Sequence, residues 1–304
     1  MAAKTKIEWT DNTFNPWVGC TKISTACDNC YAADIASRFK MAEWGAGRQR
    51  VKTSAANWKN PLQWNAQAKK QGKPIKVFTG SMCDIFDNEV PQDWRAELWD
   101  LIESTPYLTW QIVTKRIGNA HDMVPIAWLR NGFPKNVWLL ITVSNQEEAD
   151  RDIPKLLQFD AAVRGLSIEP MLGAIDLWKA GWHLSGENVD IDWVIVGGES
   201  GHKARPMHPD WVRSLRDQCQ TEGVPFFFKQ WGEWVDARCI DANIKLPSAK
   251  WKWIDSNGKP DKLTGAFKNE NAHHVLMANV GKKSAGNLLD GQQYLQFPKN
   301  YTEV

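Results

Sequence analysis

From Ile75 onward the chain alternates short β-branched or apolar runs with stretches of helical period, and this alternation restricts the fold more than any other feature. Candidate strands are Ile75–Thr79, Thr109–Thr114, Val137–Val143, Val163–Ile168, Trp193–Val196 and Pro225–Phe228. Helical patterns lie between them at Gln92–Glu103, Gln146–Leu157 and Pro209–Glu222. The helix after Ser144-Asn145 opens with Gln-Glu-Glu, and the one after His208 carries Pro209 at its first position, both of which are helix-start signals. Strand and helix alternating at this spacing predict a parallel sheet with right-handed crossovers. About six or seven such units close, or nearly close, a barrel, so the expected class is α/β, a partial (β/α) TIM-like barrel. Beyond Trp234 the alternation stops. Trp251–Ile254 followed by Asp255-Ser256-Asn257-Gly258 reads as a hairpin within an irregular C-terminal appendage. The expected division is a barrel over residues 1–234 and the appendage over 235–304.

The strand-like runs end in polar residues: Ser81-Met82-Cys83-Asp84, Thr114-Lys115-Arg116, Ser144-Asn145, Glu169-Pro170, Gly197-Gly198-Glu199-Ser200 and Lys229-Gln230-Trp231. In a barrel these positions converge on the carboxyl-terminal face, where chemistry is done. Any one of them alone reads as a turn or a helix cap. Ala180–Asp190 reads as an inserted surface loop, and the glycine- and lysine-rich run Val280–Gly291 lacks the spacing of a phosphate-binding loop.

Composition narrows the class of protein. The chain has 304 residues, with 43% hydrophobic and 24% charged, the make-up of a globular domain with a full core. A net charge of +2 is too small for bulk attraction to nucleic acid, so such binding would need a local patch. No apolar run has the length of a membrane span, and the first twelve residues have no apolar signal core. The expectation is a cytoplasmic protein without membrane contact. Most of the 18 tryptophans are expected in the core, with some available to stack on a flat substrate.

Three of six cysteines, Cys20, Cys27 and Cys30, fall within eleven residues. In a reducing compartment such clustering favours metal binding or catalysis over disulfides. Three thiolates on one loop can bind three irons of a cubane and leave the fourth open. Zinc wants four ligands, usually two knuckles. Here there is one Cys-x2-Cys pair, one further cysteine, and no histidine before His121, although the fold could bring Cys83 in as a fourth ligand. Three reduced packing cysteines are the remaining reading, and spacing leaves all three open.

Asn15-Pro16-Trp17-Val18-Gly19-Cys20, then Cys27 and Cys30-Tyr31-Ala32, resembles the cluster motif of radical S-adenosylmethionine enzymes, in particular the spore-photoproduct-lyase-like branch. The resemblance extends to Phe78–Phe86 with Glu89 and to Val113–Arg116. It is closer still to a phage and bacterial subgroup of unassigned function with a Cys-x6-Cys-x2-Cys motif, through Ile168–Gly173, Val196–Gly201, Phe228–Gly232 and Gly281–Gly291. The family's usual first spacing is three residues; this chain has six.

The resemblance implies a 4Fe–4S cluster on Cys20, Cys27 and Cys30, an external one-electron reductant, and reductive cleavage of S-adenosylmethionine to a 5′-deoxyadenosyl radical. For S-adenosylmethionine it suggests Tyr31 near the adenine and Ser81 and Asp84 at the methionine amine. Ser144 and Asn145 are suggested at the ribose or carboxylate, and Lys115 or Arg116 at the carboxylate. Glu169, Glu199, Lys229 and Gln230 read as substrate-side groups, and Cys83 as a hydrogen-atom donor or an inert buried thiol. The implied substrate is a nucleobase or nucleic acid: a radical rearrangement or modification of a pyrimidine, already modified or not, in phage DNA. The same chemistry on RNA or a nucleoside is one alternative, and a non-enzymatic zinc-binding adaptor is another. His202-Lys203-Ala204-Arg205-Pro206-Met207-His208 and Lys282-Lys283 could grip a phosphate backbone or could be solvated loops.

Overall fold

The computed structural model describes residues 5–182, 191–240, 250–261 and 274–298. Its strands are β1 (Asn12–Phe14), β2 (Trp17–Val18), β3 (Val51–Lys52), β4 (Ile75–Thr79), β5 (Leu108–Thr114), β6 (Val137–Ile141) and β7 (Val163–Ile168). They continue with β8 (Trp193–Gly197), β9 (Phe226–Gln230), β10 (Trp234–Asp236), β11 (Trp251–Ile254), β12 (Pro260–Asp261) and β13 (Val275–Asn279). The helices are α1 (Tyr31–Arg38), α2 (Ala55–Gln71), α3 (Gln92–Glu103), α4 (Ile117–Met123), α5 (Ile126–Asn131), α6 (Gln146–Leu156), α7 (Pro209–Glu222) and α8 (Lys282–Ala285).

Seven parallel strands in the order β1-β4-β5-β6-β7-β8-β9 form a curled half-barrel with helices between them. The apolar runs are buried on both faces, as parallel strands must be. Outward-facing residues such as Trp110, Ile112, Leu139, Leu166 and Val194 join the core beneath the helices. Inward-facing residues Trp138, Leu140, Val163, Trp193, Ile195 and Phe227 gather with Trp9 in a second cluster on the concave face. The chain's two ends close this face. Phe228 N–H donates to the Tyr294 carbonyl at 2.8 Å and Trp193 Nε1 donates to the Gln296 carbonyl at 2.9 Å, laying residues 294–297 along β9. Phe297 then lies 5.3 Å from the Trp193 ring, and Lys76 Nζ of β4 sits 4.1 Å from the Phe297 centroid. The half-barrel's amino-terminal end is therefore filled by aromatic rings, and its carboxyl-terminal end stays open.

The predicted strands and helices all form. Asn145 caps α6 and His208 caps α7 ahead of Pro209. The expected hairpin forms as β11–β12, and with β10 and β13 it makes a four-stranded antiparallel sheet. This sheet supports the loop after β8: Trp234 Nε1 donates to the Ala204 carbonyl at 2.8 Å. Most of the expected surface loop at 180–190 lies outside the described residues. No described helix is long and apolar enough to cross a membrane.

Candidate active site

The open end holds a cavity of about 460 Å³, within the range of clefts that enclose small ligands. Phe78, Val113, Thr142, Ser167 and Lys229 line it from the concave face, and Gly80, Ser81, Glu169 and Glu199 from the strand ends. The cysteine loop covers it. Cys20, Cys27 and Cys30 all line this one cavity, with Tyr31, Cys83, Asp84 and Lys115.

Local structure explains that convergence. Gly19 N–H donates to the Met82 carbonyl at 3.1 Å, which lays Cys20 beside the segment after β4. Gly19 has φ of +117°, and a Cβ there would come within 2.9 Å of Arg50 Cδ, so only glycine fits. Asn15 fixes the same segment: its Oδ1 accepts from Met82 N–H at 2.7 Å and its Nδ2 donates to Ser81 Oγ at 2.9 Å. A 3-10 turn at Thr25–Cys27, capped by Ser24, turns the loop back to Cys30. Cys30 is the N-cap residue of α1, where the helix's positive end favours negative charge.

The surroundings fit an anionic cluster. Arg116 Nη2 donates to the Thr21 carbonyl at 2.7 Å and lies 3.9 Å from Cys20 Sγ, while its Nε is buried with no partner. An unspent donor on a guanidinium beside a thiol suits a site that acquires negative charge. Burial, then the Asp84 carboxylate, push the Cys20 thiol up to about 12, with Arg116 pulling the other way. Such a thiol gives up its proton when a metal takes the proton's place. Among the described residues, no three or more His, Cys, Asp or Glu side chains are already gathered in a geometry that holds a metal ion.

Of the groups expected to hold S-adenosylmethionine, Tyr31, Ser81, Asp84 and Lys115 line the cavity and Ser144 and Asn145 do not. Ser144 is fully buried, and both its N–H and its Oγ donate to Glu148 Oε2 at 2.8 Å. Asn145 Oδ1 accepts from Glu148 N–H at 3.0 Å. The pair starts α6 and is spent on that helix. Arg116 likewise turns to the cysteine loop rather than into the cavity. Asp84 is anchored by Thr114 Oγ1 at 2.7 Å and Lys115 N–H at 3.0 Å. The Tyr31 hydroxyl donates to the Ser81 carbonyl at 2.9 Å.

Among the expected substrate-side groups, Glu169 and Lys229 form an ion pair, Oε1 to Nζ, at 2.7 Å on the cavity wall. Gln230 and Cys83 also line it, and burial raises the Cys83 thiol well above its ordinary value, keeping the S–H form. The Glu199 carboxylate is buried and already engaged: Arg205 Nη2 donates to its Oε1 at 2.6 Å, and Arg205 Nε and Asn29 Nδ2 donate to its Oε2 at 2.9 and 3.0 Å. Two of the four donors in the loop 202–208 are already engaged: Arg205 by Glu199, Asp28 and the Thr25 carbonyl, and His208 as the buried cap of α7. Of Lys282-Lys283, only Lys282 lines the cavity. Sequence reasoning missed Lys6 and Trp9, which arrive from the N-terminal segment, and the pairing role of Asn29. Asn29 stands inside the Cys-x2-Cys pair, which was its one signal.

No curated protein matches the sequence. Among solved structures, the chain is similar to a spore photoproduct lyase double mutant with bound AdoMet and dinucleoside spore photoproduct. That likeness has a TM-score of 0.42 and 12% identity, covering 92% of this chain and 72% of that one. A second spore photoproduct lyase mutant gives 0.43 and 12% over 91% and 71%. Residues 4–298 match the family described as "Protein of unknown function (DUF5131)", and the chain belongs to that family.

Proposed function

We propose that the chain is a radical S-adenosylmethionine enzyme acting on a phosphate-bearing nucleobase substrate. The observation that carries this reading is that Cys20, Cys27 and Cys30 share one cavity with an incompletely spent arginine behind Cys20. The three thiolates would hold a 4Fe–4S cluster. Lys115, whose amine makes no ion pair among the described residues, would take the carboxylate of S-adenosylmethionine, and the Asp84 and Ser81 oxygens its amine. Tyr31 would border the adenine. When bound, the cluster and S-adenosylmethionine supply a carbon-centred radical that abstracts hydrogen. The protein's part is to hold both groups in a space walled by Trp9, Phe78 and Val113 that excludes bulk water.

Charge supports the substrate class. The cavity's three acidic side chains are already engaged: Asp84 by Thr114 and a backbone N–H, Glu169 by Lys229, and Glu199 by Arg205. Lys6 and Lys282 also line the cavity and make no ion pair among the described residues. Two such amines beside an apolar wall suit a base carrying a phosphate. Phe78 and Val113 line the same cavity and give a base apolar surface to lie against. Glu169 and Lys229 would move a proton at the substrate, and Cys83 would return a hydrogen atom. DNA is the reading favoured here, with a modified phage pyrimidine as the specific form, and an external one-electron carrier is required.

Anaerobic reconstitution with iron and sulfide tests the assignment. About four irons per chain with an absorbing, dithionite-reducible cluster, lost in Cys27→Ala, is the expected result. One tight zinc and no iron would put a zinc adaptor in its place. Incubating the reduced protein with DNA, RNA and nucleosides, followed by nucleoside mass analysis, separates the substrates.

A further inference from the structure

The six residues between Cys20 and Cys27 need something to hold them, because a longer loop can direct its two cysteines in many ways and ordering it costs entropy. The structure supplies ties at both ends. At the first, Thr21 is gripped twice: Arg50 Nη2 donates to its Oγ1 at 2.7 Å and Arg116 Nη2 to its carbonyl at 2.7 Å. At the second, the ties come from across the barrel mouth. Arg205 Nη2 donates to the Thr25 carbonyl at 2.9 Å and Nη1 to Asp28 Oδ2 at 3.2 Å, while Asn29 Nδ2 donates to Glu199 Oε2 and to the Lys203 carbonyl, each at 3.0 Å. Lys22 also pairs with Asp28.

Glu199 and Arg205 are themselves held. Arg205 N–H donates to Glu199 Oε2 at 2.7 Å, Glu233 N–H to the Glu199 carbonyl at 3.0 Å, and Trp234 Nε1 to the neighbouring Ala204 carbonyl. The second sheet thus backs the contact, and the Glu199 side chain is only 4% exposed. A buried carboxylate with three donors on one oxygen has little capacity left for a substrate.

We propose that Glu199 and Arg205 are positioning residues that clamp the widened cysteine loop to the rim of the barrel and so set where Cys27 and Cys30 face the cavity. This rests on the cluster reading for its purpose, while the clamp itself can be tested without metal. Arg205→Met keeps the side-chain length and removes the donors, and Arg205→Lys keeps the charge without the planar fork.

Amide hydrogen exchange of the metal-free chain is the first readout. Arg205→Met is expected to raise exchange across residues 24–29 at least tenfold while α7 stays as in wild type. Unchanged exchange across 24–29 would overturn the clamp. The second readout is the electron paramagnetic resonance spectrum and midpoint potential of the reconstituted cluster. A shifted signal in Arg205→Met, brought back toward wild type in Arg205→Lys, is expected. An identical spectrum and potential in all three proteins would overturn the positioning role. If wild type takes up no iron while the loop still loosens in Arg205→Met, the clamp stands and the cluster reading falls.

Discussion

Arg50 is the most enclosed charge beside the cysteine loop, and replacing it with methionine gives a stability loss that can be worked out from its contacts. Its side chain is fully buried. Nε donates to Asp87 Oδ2 at 2.8 Å, Nη1 to the Gly45 and Arg48 carbonyls at 3.0 and 2.7 Å, and Nη2 to Thr21 Oγ1. Glu89, 32% exposed, lies 3.3 Å away and adds little. Arg50→Met leaves the Asp87 carboxylate, 2% exposed, without its cation and leaves two carbonyls without donors. Removing one member of a buried pair costs about 3–5 kcal/mol, and methionine's apolar stem recovers a fraction of the lost packing. The expected net loss is about 4 kcal/mol in urea unfolding of the metal-free protein. Asp87→Asn added to Arg50→Met removes the orphaned charge and is expected to restore roughly 2 kcal/mol. A loss below about 1 kcal/mol for Arg50→Met, or a double variant no more stable than the single, would refute the reasoning.

Other outcomes follow from the same geometry. Gly198→Ala would put a Cβ 1.9 Å from the Trp231 carbonyl oxygen, a backbone atom that cannot swing aside, so a fall in thermal midpoint larger than that of any surface alanine is expected. Glu169→Gln and Lys229→Met are expected to keep the iron content of wild type while substrate turnover falls about 100-fold or more, the scale of a lost proton-transfer group. Asn145→Ala is expected to cost about 1 kcal/mol in urea unfolding through loss of the α6 cap, with S-adenosylmethionine affinity unchanged in equilibrium dialysis. Hydrogen bonds from Arg213 and Arg216 hold the Asp290 carboxyl below its ordinary value. A depressed folded-state pKa contributes stability above the unfolded value of about 3.9 and loses it as pH falls below that, so Asp290→Asn should flatten the acid limb of a pH–stability curve, by under about 1 kcal/mol at this half-exposed site.

The half-barrel was legible because its parallel strands are near-continuous apolar runs with cap chemistry between them. β1 was not, because Asn12–Phe14 is three residues long and polar for two of them; it forms by pairing with β4. The aromatic filling by Phe297 escaped notice because its partners Trp193 and Lys76 are far away in sequence. Of the residues expected at the site, the motif cysteines and the strand-end residues Ser81, Asp84, Lys115, Glu169 and Lys229 line the cavity. Ser144-Asn145 looked equally suitable in one dimension, since a cap and a ligand both call for a short polar side chain after a strand. Glu199 was expected on the substrate side, and its engagement by Arg205 could be identified only once the loop's path was seen.

The most direct test of the radical reading is the formation of 5′-deoxyadenosine. Reconstituted wild type, reduced with dithionite under anaerobic conditions and given S-adenosylmethionine, is expected to release 5′-deoxyadenosine and methionine, and Cys20→Ala, Cys27→Ala and Cys30→Ala are each expected to release none. Iron-loaded wild type that leaves S-adenosylmethionine intact, with and without DNA present, would contradict the account.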